Sequence, residues 1–310
     1  MSDSRCGFVA LVGAPNAGKS TLLNSLIGAK VSIVSRKAQT TRATVRGILV
    51  ESAAQMIFVD TPGLFAPKRR LDRAMVAAAW GAAGDADALA LLIDARQEIG
   101  GAGKPDAAEI SEATQTILAT LRGQRAAKFL VLNKIDLVER PRLLALAERL
   151  NAALPFSETF MVSALAGDGL DRLKSRLAAA MPKGPWLYPE DQIADAPLRA
   201  LAAEITREKI FERLHDELPY QTTVETESWK DQPDGSARVE QTIYVTRDSH
   251  KKIVIGEGGR TIKAIGSAAR KEIAEAHEAP VHLFLFVKVR EGWLDDPERY
   301  RAMGLEFPEK

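Results

Sequence analysis

Cysteine is nearly missing from this sequence, which has a single one, Cys6, in 310 residues. One cysteine excludes an intramolecular disulfide, and a reducing compartment is the simplest environment for such a chain. Histidine is scarce as well, and the spacing of the four histidines is not that of a set of metal ligands. We therefore expect no disulfide framework and no histidine-based metal centre.

Long apolar stretches are also absent. No run reaches the ~18–20 consecutive apolar residues that a membrane-spanning helix needs. The polar N-terminus, MSDSRCG, lacks the hydrophobic region of a secretory signal. The formal net charge is only +1, which neither requires nor excludes a nucleic-acid partner. These absences predict a soluble, cytoplasmic protein, and peripheral contact with the inner face of the cell membrane stays open.

The first 180 residues alternate short apolar runs with helical patterns. Each apolar run ends in a polar or glycine-rich turn, which is where an open parallel sheet places its chemistry. The alternation predicts an α/β domain with a mostly parallel sheet covered on both faces, with an edge strand at 43–50. The apolar runs are FVALVG (8–13), QMIFVD (55–60), ALALLID (88–94) and KFLVLN (128–133), and the clearest helical patterns are 19–27 and 107–122.

The composition of the sequence changes near residue 181, where the alternation of apolar runs and helical patterns stops. Four prolines between 181 and 198 indicate a linker. The predicted boundaries are therefore 1–181 for the first domain, 182–197 for the linker and 198–310 for the second domain. The second domain has an α+β pattern: a helix at 198–218, strands at 222–230 and 237–246 joined by a DQPDG hairpin turn, a strand-like KKIVI run, a glycine loop, a helix, and a last strand at 281–290.

Residues 13–20, GAPNAGKS, fit the phosphate-binding pattern G-x-x-x-x-G-K-[ST] in full, between a predicted strand and a predicted helix. Glycines let backbone N–H groups turn toward phosphate oxygens, and the helix N-terminus adds partial positive charge. We expect Lys19 to reach the β and γ phosphates and Ser20 to ligate Mg²⁺. The nucleotide-binding residues predicted from this loop are Gly13, Ala14, Pro15, Asn16, Ala17, Gly18, Lys19, Ser20 and Thr21.

Asn133, Lys134 and Asp136 follow the fourth apolar run in the sequence NKID, which matches the N-K-x-D motif of GTPases. The Asp136 carboxylate would accept hydrogen bonds from guanine N1–H and the exocyclic amine. Adenine lacks both donors there, and a buried polar group without a partner is costly. Asn133 and the stem of Lys134 would brace the base and the phosphate loop. Ser163 and Ala164, which follow another predicted strand, resemble the last guanine-contact motif.

Asp60, Thr61, Pro62 and Gly63 have the D-x-x-G form of the second metal-site element. Asp60 would hold Mg²⁺ through water, and the Gly63 N–H would sense the γ-phosphate. Thr40 and Thr41 lie between the first helix and the edge strand, where a switch threonine closes on Mg²⁺, and Thr41, next to Arg42, is favoured over Thr40. In this order, the elements resemble the translation-factor branch of GTPases.

Leu64 stands where many GTPases have a glutamine that orients the attacking water. Leucine cannot polarise water, so the sequence identifies no catalytic residue. In relatives with this hydrophobic substitution, an asparagine at the position of Asn16 can help hold K⁺ near the phosphates. A turn-forming role for Asn16 in a Pro-Asn bend stays equally open.

The second glycine loop, residues 256–259, lacks the lysine-serine ending of a phosphate loop. With its flanks it matches the V-I-G-x-x-G-x-x-I signature of a KH domain, whose loop clamps a single-stranded backbone of about four nucleotides. Residues 185–310 carry six more acidic than basic side chains, so RNA binding would be confined to the basic edge beside the loop. An ordinary turn with solvated lysines stays open as the alternative. The predicted RNA-binding residues are Lys251, Lys252, Gly256, Glu257, Gly258, Gly259, Arg260 and Lys263.

The motifs GAPNAGKST, KAQTTR, DTPGL and NKIDL, followed by the proline-rich linker and the second glycine loop, closely resemble the Era family of bacterial GTPases over nearly the whole chain. The resemblance implies a Ras-like GTPase domain followed by a type II KH domain. It implies GTP or GDP and Mg²⁺ as ligands, with K⁺ as a further candidate, in a monomer. It also implies binding to the 3′ end of small-subunit ribosomal RNA and a role in assembling the 30S-type subunit.

Two other functions stay open on the sequence. A metabolic ATPase or kinase would share the phosphate loop, but the NKID motif argues against it. A membrane-associated signalling GTPase would use the second domain to bind protein, and RNA retention compared with lipid flotation would separate it from the Era-like function.

Overall fold

The computed structural model describes residues 4–37, 39–100 and 109–308. Within these ranges the chain packs into two compact units. The first unit holds the described residues of 4–32, 41–195 and 303–308, and the second holds those of 33–40 and 196–302. Each unit has its own sheet.

The first unit is built on a six-stranded sheet with the order β2-β3-β1-β4-β5-β6. All neighbouring pairs are parallel except the edge pair β2 and β3, which is antiparallel. All seven residues of β3 are buried, as expected for a strand covered by helices on both faces. The predicted α/β sheet and its edge strand are confirmed. The strands are β1 Arg5–Val12, β2 Val45–Glu51, β3 Ala54–Asp60, β4 Ala88–Asp94, β5 Ala127–Asn133 and β6 Glu158–Met161.

Side chains alternate between the two faces of this sheet and build a hydrophobic core on each. On β1, Val9 and Leu11 belong to one core cluster, whereas Ala10 and Val12 belong to the other. This alternation follows from the two-residue repeat of a strand. The strands are thus fixed by packing, and the turns at their carboxyl ends are where an open α/β sheet binds ligands.

The described residues of the first unit form six α-helices in addition to the sheet. The predicted helix at 19–27 is confirmed. The predicted helix at 107–122 begins only at Glu112, because the Ser111 side chain accepts a hydrogen bond from the Thr114 N–H and caps the first turn; residues 107 and 108 lie outside the described residues. The helices are α1 Lys19–Ile27, α2 Arg70–Gly84, α3 Ala95–Ile99, α4 Glu112–Leu121, α5 Arg140–Ala153 and α6 Leu170–Ala180.

The second unit has a three-stranded sheet with the order β7-β8-β9. The predicted hairpin of β7 and β8 is confirmed, and β9 pairs with β8 in parallel. The strands and helices are α7 Leu198–Arg213, β7 Thr222–Asp231, β8 Ala237–Val245, α8 Asp248–Ile255, α9 Arg260–His277, β9 Val281–Val289 and α10 Pro297–Ala302.

The KKIVI run before the second glycine loop is helical, so its prediction as a strand is wrong. Residues 251–255 form the end of α8. Only His250 and Val254 of this helix are buried, and their spacing of four residues places both on one helical face. A short apolar run cannot be assigned from periodicity alone, and here the packing of that face decided the conformation.

No helix within the described ranges combines the length and apolar character needed to cross a bilayer.

Candidate functional site

The phosphate loop connects β1 to α1, and two of its glycines are required by close approach. Gly13 has φ 151°, and a Cβ there would lie 2.4 Å from the Leu92 carbonyl oxygen. Gly18 has φ 96°, and a Cβ there would lie 2.2 Å from Nδ2 of Asn133. Asn16, with φ 63°, also adopts the left-handed conformation. The glycines therefore allow a tight loop that a larger residue would open.

Lys19 is buried inside this loop at the start of α1. Its Nζ donates to the carbonyl oxygens of Gly13 and Ala14, both at 3.0 Å. Burial lowers the pKa of Lys19 to about 8, opposed by the negative charge of Asp60. The ammonium is thus fixed where a helix N-terminus and loop amides already favour an anion.

Oxygen atoms from four side chains meet beside the loop. Ser20 Oγ donates to Asp60 Oδ2 at 2.6 Å and lies 3.0 Å from Thr41 Oγ1, and Ser32 Oγ donates to the same Asp60 oxygen at 2.9 Å. Asp60 Oδ1 is buried and has no hydrogen-bond partner among the described residues. Burial raises the pKa of Asp60, while the bond from Ser20 and the charge of Lys19 oppose that rise. A buried carboxylate beside hydroxyl oxygens fits a hard cation such as Mg²⁺.

Ser32 was not found from the sequence, and neither was the residue that holds it. Asn24 Oδ1 accepts hydrogen bonds from the backbone N–H groups of Val31 and Ser32, each at 3.0 Å, and Asn24 Nδ2 donates to the Ser32 carbonyl at 2.7 Å. These contacts join α1 to the loop that follows it. No motif spacing in the sequence predicts them.

The DTPG turn after β3 packs against the phosphate loop. A Cβ on Gly63 would lie 2.8 Å from Cα of Pro15, and the Leu64 N–H donates to the Gly13 carbonyl at 3.0 Å. Thr61 Oγ1 donates to the Leu11 carbonyl at 2.7 Å. The Leu64 side chain is only 4% exposed and belongs to the hydrophobic core. It therefore offers no group that could orient a water.

Asn133 joins the base-specific motifs to the phosphate loop. Its Nδ2 donates to the Ala17 carbonyl at 2.8 Å, and its Oδ1 accepts from the Ala164 N–H at 3.0 Å. β5 and β6 are parallel neighbours, so the NKID turn and the turn containing Ser163 and Ala164 extend from the same edge of the sheet. The structure thus brings both predicted guanine motifs together with the phosphate loop.

Lys134 adopts the left-handed conformation, with φ 63°. Its Nζ donates to the Asn16 carbonyl at 2.8 Å and to Asp94 Oδ2 at 2.5 Å. Asp94, at the end of β4, was not found from the sequence. Asp136 lies exposed on a short 3₁₀ turn directly after Lys134, where its carboxylate is accessible to a base.

The second glycine loop joins α8 to α9. A Cβ on Gly256 would lie 2.2 Å from Thr261 Oγ1, so this position requires glycine for space. Gly258 and Gly259 have φ 59° and 76°, and a Cβ on either would meet no atom within 4 Å. The backbone there is left-handed and open on its outer side, as a loop that receives another backbone must be.

The charged residues around this loop are at the surface. Lys252, Lys263 and Arg260 are exposed, and Lys251 is half-buried. Arg260 forms an ion pair with Glu257. This pairing offsets the negative charge of Glu257, and Lys251, Lys252 and Lys263 provide the positive charge beside the loop.

Comparison with known protein families divides the chain in the same way. The family model described as 50S ribosome-binding GTPase matches residues 8–134, and the KH domain model matches residues 217–294. The second unit therefore contains a KH domain.

Whole-chain relatives share most of the sequence. GTPase Era of Afipia carboxidovorans is 64% identical over 307 residues, which cover 99% of this chain and 96% of the relative. GTPase Era of Brucella suis is 60% identical, with 99% and 95% covered.

Two solved structures also resemble the whole chain. Era of Aquifex aeolicus bound to GDP and AlF₄⁻ is 37% identical with a TM-score of 0.87, and the match covers 97% of this chain and 99% of that one. Era in complex with MgGDPNP and nucleotides 1506–1542 of 16S ribosomal RNA has the same identity, TM-score and coverage. The chain therefore belongs to the Era family, and it is a GTPase with a C-terminal KH domain.

Proposed function

We propose that this GTPase is a GTP-driven switch that binds the 3′ end of small-subunit ribosomal RNA through its KH domain and acts in assembly of the 30S-type subunit. The observation that carries the proposal is the open, left-handed backbone at Gly258 and Gly259 in a chain that also contains a GTPase domain. The solved Era complex with 16S ribosomal RNA nucleotides supports the choice of RNA.

The nucleotide-binding residues proposed are those of the phosphate loop, the DTPG turn, NKID and the Ser163–Ala164 turn. Lys19 holds the β and γ phosphates, and Asp136 accepts from the guanine donors. Ser20 and Thr41 would hold Mg²⁺ directly, and Asp60 would hold it through water. Bound Mg²⁺ supplies positive charge that stabilises the transferring phosphoryl group.

We propose that K⁺ supplies further positive charge near the phosphates and so takes the electrostatic part of an arginine finger, because the buried Leu64 side chain cannot replace the glutamine that many GTPases have at this position. Asn16 is the proposed K⁺-holding residue. GTP turnover measured in K⁺ and in Na⁺ at equal ionic strength should be faster in K⁺. Equal rates would remove Asn16 from the catalytic assignment.

The RNA assignment is tested by replacing Glu257 and Gly258 together by Asp in the full chain. Two carboxylates would then lie where phosphates must pass, so affinity for an RNA with the small-subunit 3′-end sequence should fall strongly in filter binding. GTP affinity should stay unchanged. Asp fits this position because it tolerates the left-handed conformation and Gly258 faces open space.

Gly235→Asp is the matched control. Gly235 lies in the hairpin turn of the same unit, has φ 80°, and also faces open space. This control should bind RNA like the unaltered protein. If the Glu257 and Gly258 double variant also binds like the unaltered protein, the loop is an ordinary turn. Lipid flotation without RNA retention would support the membrane-signalling alternative.

We further propose a cytoplasmic monomer, with peripheral membrane contact as a separate proposal. The domain boundaries 1–181, 182–197 and 198–310 stay predictions, and limited proteolysis would test them by cutting between 182 and 197.

A further inference from the structure

Segment 33–40, of which residues 33–37, 39 and 40 are described, precedes the threonine proposed for the switch and is bonded to α7 near both of its ends. The Val34 N–H donates to Glu208 Oε1 at 2.6 Å. At the other end, Arg207 Nη2 donates to the Thr40 carbonyl at 2.5 Å. Between these bonds, Lys37 Nζ donates to the Leu214 carbonyl at the end of the same helix.

The first residue of the segment also packs into the apolar core of the second unit. Ile33 is 2% exposed and belongs to the same cluster as Ala202 and Ile205 of α7. The segment is thus held by a buried side chain as well as by hydrogen bonds.

The two side chains that hold the segment are charged and buried, which is rare without a specific role. The Arg207 and Glu208 side chains are 1% and 3% exposed. Arg207 also pairs with Glu204, and Glu208 pairs with Lys209 at 2.9 Å. Arg207 Nη1 has no partner among the described residues. Charged groups bonded to backbone atoms form the stronger class of hydrogen bond, so these contacts are suited to fixing a loop.

The residues on either side of this segment touch the proposed metal site. Ser32 directly precedes it and donates to Asp60. Thr41 directly follows it and lies 3.0 Å from Ser20 through the two hydroxyl oxygens. A single peptide bond therefore separates the carbonyl held by Arg207 from the threonine proposed as a Mg²⁺ ligand.

We propose that Arg207 and Glu208 are positioning residues for GTP hydrolysis, which act by holding 33–40 so that Thr41 stays beside Ser20. Ordering a free loop costs conformational entropy, and a loop that is already held loses less when its threonine binds the metal. This inference rests on the proposed role of Thr41. The benefit should be confined to the triphosphate state, because Thr41 would help hold Mg²⁺ only when the γ-phosphate is present.

The test uses two single variants of the full chain, Arg207→Met and Glu208→Ala. Each removes one of the two bonds at the ends of the segment, together with that residue's ion pair to Glu204 or Lys209. With Mg²⁺ present, affinity for GDPNP should fall about threefold to tenfold while affinity for GDP stays within about twofold, because preorganisation is lost for one ligand only. GTP hydrolysis should slow in parallel. In the nucleotide-free protein, hydrogen exchange at the Val34 amide should accelerate in Glu208→Ala.

Two further variants act as controls. Glu208→Gln keeps an amide oxygen that can accept from Val34, so it should restore the GDPNP-to-GDP preference. Glu212→Ala alters another acidic residue on α7 that pairs with Lys209 at 3.1 Å, and it should leave that preference unchanged.

Two results would overturn the inference. One is an unchanged GDPNP-to-GDP ratio in both positioning variants, and the other is an equal loss of affinity for both nucleotides. Thr41→Ala separates failure of the positioning role from failure of the proposed function. If Thr41→Ala also leaves the GDPNP-to-GDP affinity ratio unchanged, Thr41 is not a metal ligand. If Thr41→Ala lowers the ratio and the α7 variants do not, only the positioning role is lost. Should one α7 variant fail to fold, the other decides, since each removes a different bond.

Discussion

The Asp136 side chain lies exposed on the turn after β5. The side chains of two nearby residues are already hydrogen-bonded within the protein. Asn133 bonds to Ala17 and Ala164, and Lys134 bonds to Asn16 and Asp94. Of Asn133, Lys134 and Asp136, only Asp136 therefore presents an accessible acceptor to a base. Base selectivity should depend on this one carboxylate.

Asp136→Asn should turn the preference from GTP toward XTP. Xanthine has an oxygen where guanine has its exocyclic amine, so an amide donor suits xanthine and leaves the guanine amine unpaired. An unpaired polar group costs about 1–3 kcal/mol, so GTP affinity should fall roughly tenfold to a hundredfold. Competition binding with GTP and XTP measures the change.

Asp171→Asn provides the control for Asp136→Asn, since Asp171 is a fully exposed aspartate on α6 of the same unit. It should leave the preference for GTP intact. Retained preference for GTP over XTP in Asp136→Asn would contradict the assignment.

Lys19 makes nucleotide binding depend on pH. Burial lowers its pKa to about 8 in the nucleotide-free protein, and bound phosphates would raise that pKa because they favour the charged form. Binding above pH 8 should therefore take up a proton, and GDP affinity should fall with rising pH by at most about tenfold per unit. Calorimetry at pH 9 in two buffers of different ionisation enthalpy measures the uptake. Equal apparent enthalpies after correction for dilution would show that no proton is taken up.

At the scale of elements, the helix pair α8 and α9 depends on the glycine loop between them. Gly256 is tight against Thr261, whereas Gly258 and Gly259 face open space. One glycine thus lets α9 begin directly after α8, and the other two keep the backbone approachable. The short length of the loop keeps Lys252, at the end of α8, and Lys263, in the first turn of α9, close to it in sequence.

Lys252 and Lys263, one on each of these helices, should contribute phosphate contacts without base selectivity. Replacing both by Ala should weaken RNA of any sequence alike and make the log–log salt dependence shallower by about one to two, since each lost contact releases roughly one counterion fewer. Filter binding across a salt series measures the slope.

The matched control for this pair is Lys271→Ala, which removes an exposed lysine from the later part of α9, away from the loop in sequence. Its slope should equal that of the unaltered protein. An unchanged slope in the Lys252 and Lys263 double variant would place the RNA surface elsewhere.

At the scale of the whole molecule, the two units are not contiguous in sequence. Residues 33–40 belong to the unit that otherwise begins at 196, and residues 303–308 belong to the unit that otherwise ends at 195. The chain therefore passes from one unit to the other four times. Each passage is a covalent link through which the state of one unit can bias the other. The passages at 32–33 and 40–41 directly flank Ser32 and Thr41, which lie at the proposed metal site.

The sequence by itself determined the features that are local. The phosphate loop was predictable because its glycines, lysine and serine act within eight residues of one another, next to a strand and a helix. The DTPG and NKID turns were predictable because each directly follows an apolar strand, and parallel strands bring their carboxyl ends to one edge. The second glycine loop was predictable because, like the phosphate loop, its pattern is a short and continuous stretch of sequence.

Only the tertiary structure decided the contacts that join distant parts of the chain. Asn133 reaches Ala17 across 116 positions, and Glu208 reaches Val34 across 174. No local pattern encodes such bonds, because they depend on how packed helices and strands place their side chains. The prediction of a strand at KKIVI failed for the same physical reason. Its few apolar residues fit a strand or a helix, and burial of one helical face stabilises the helix.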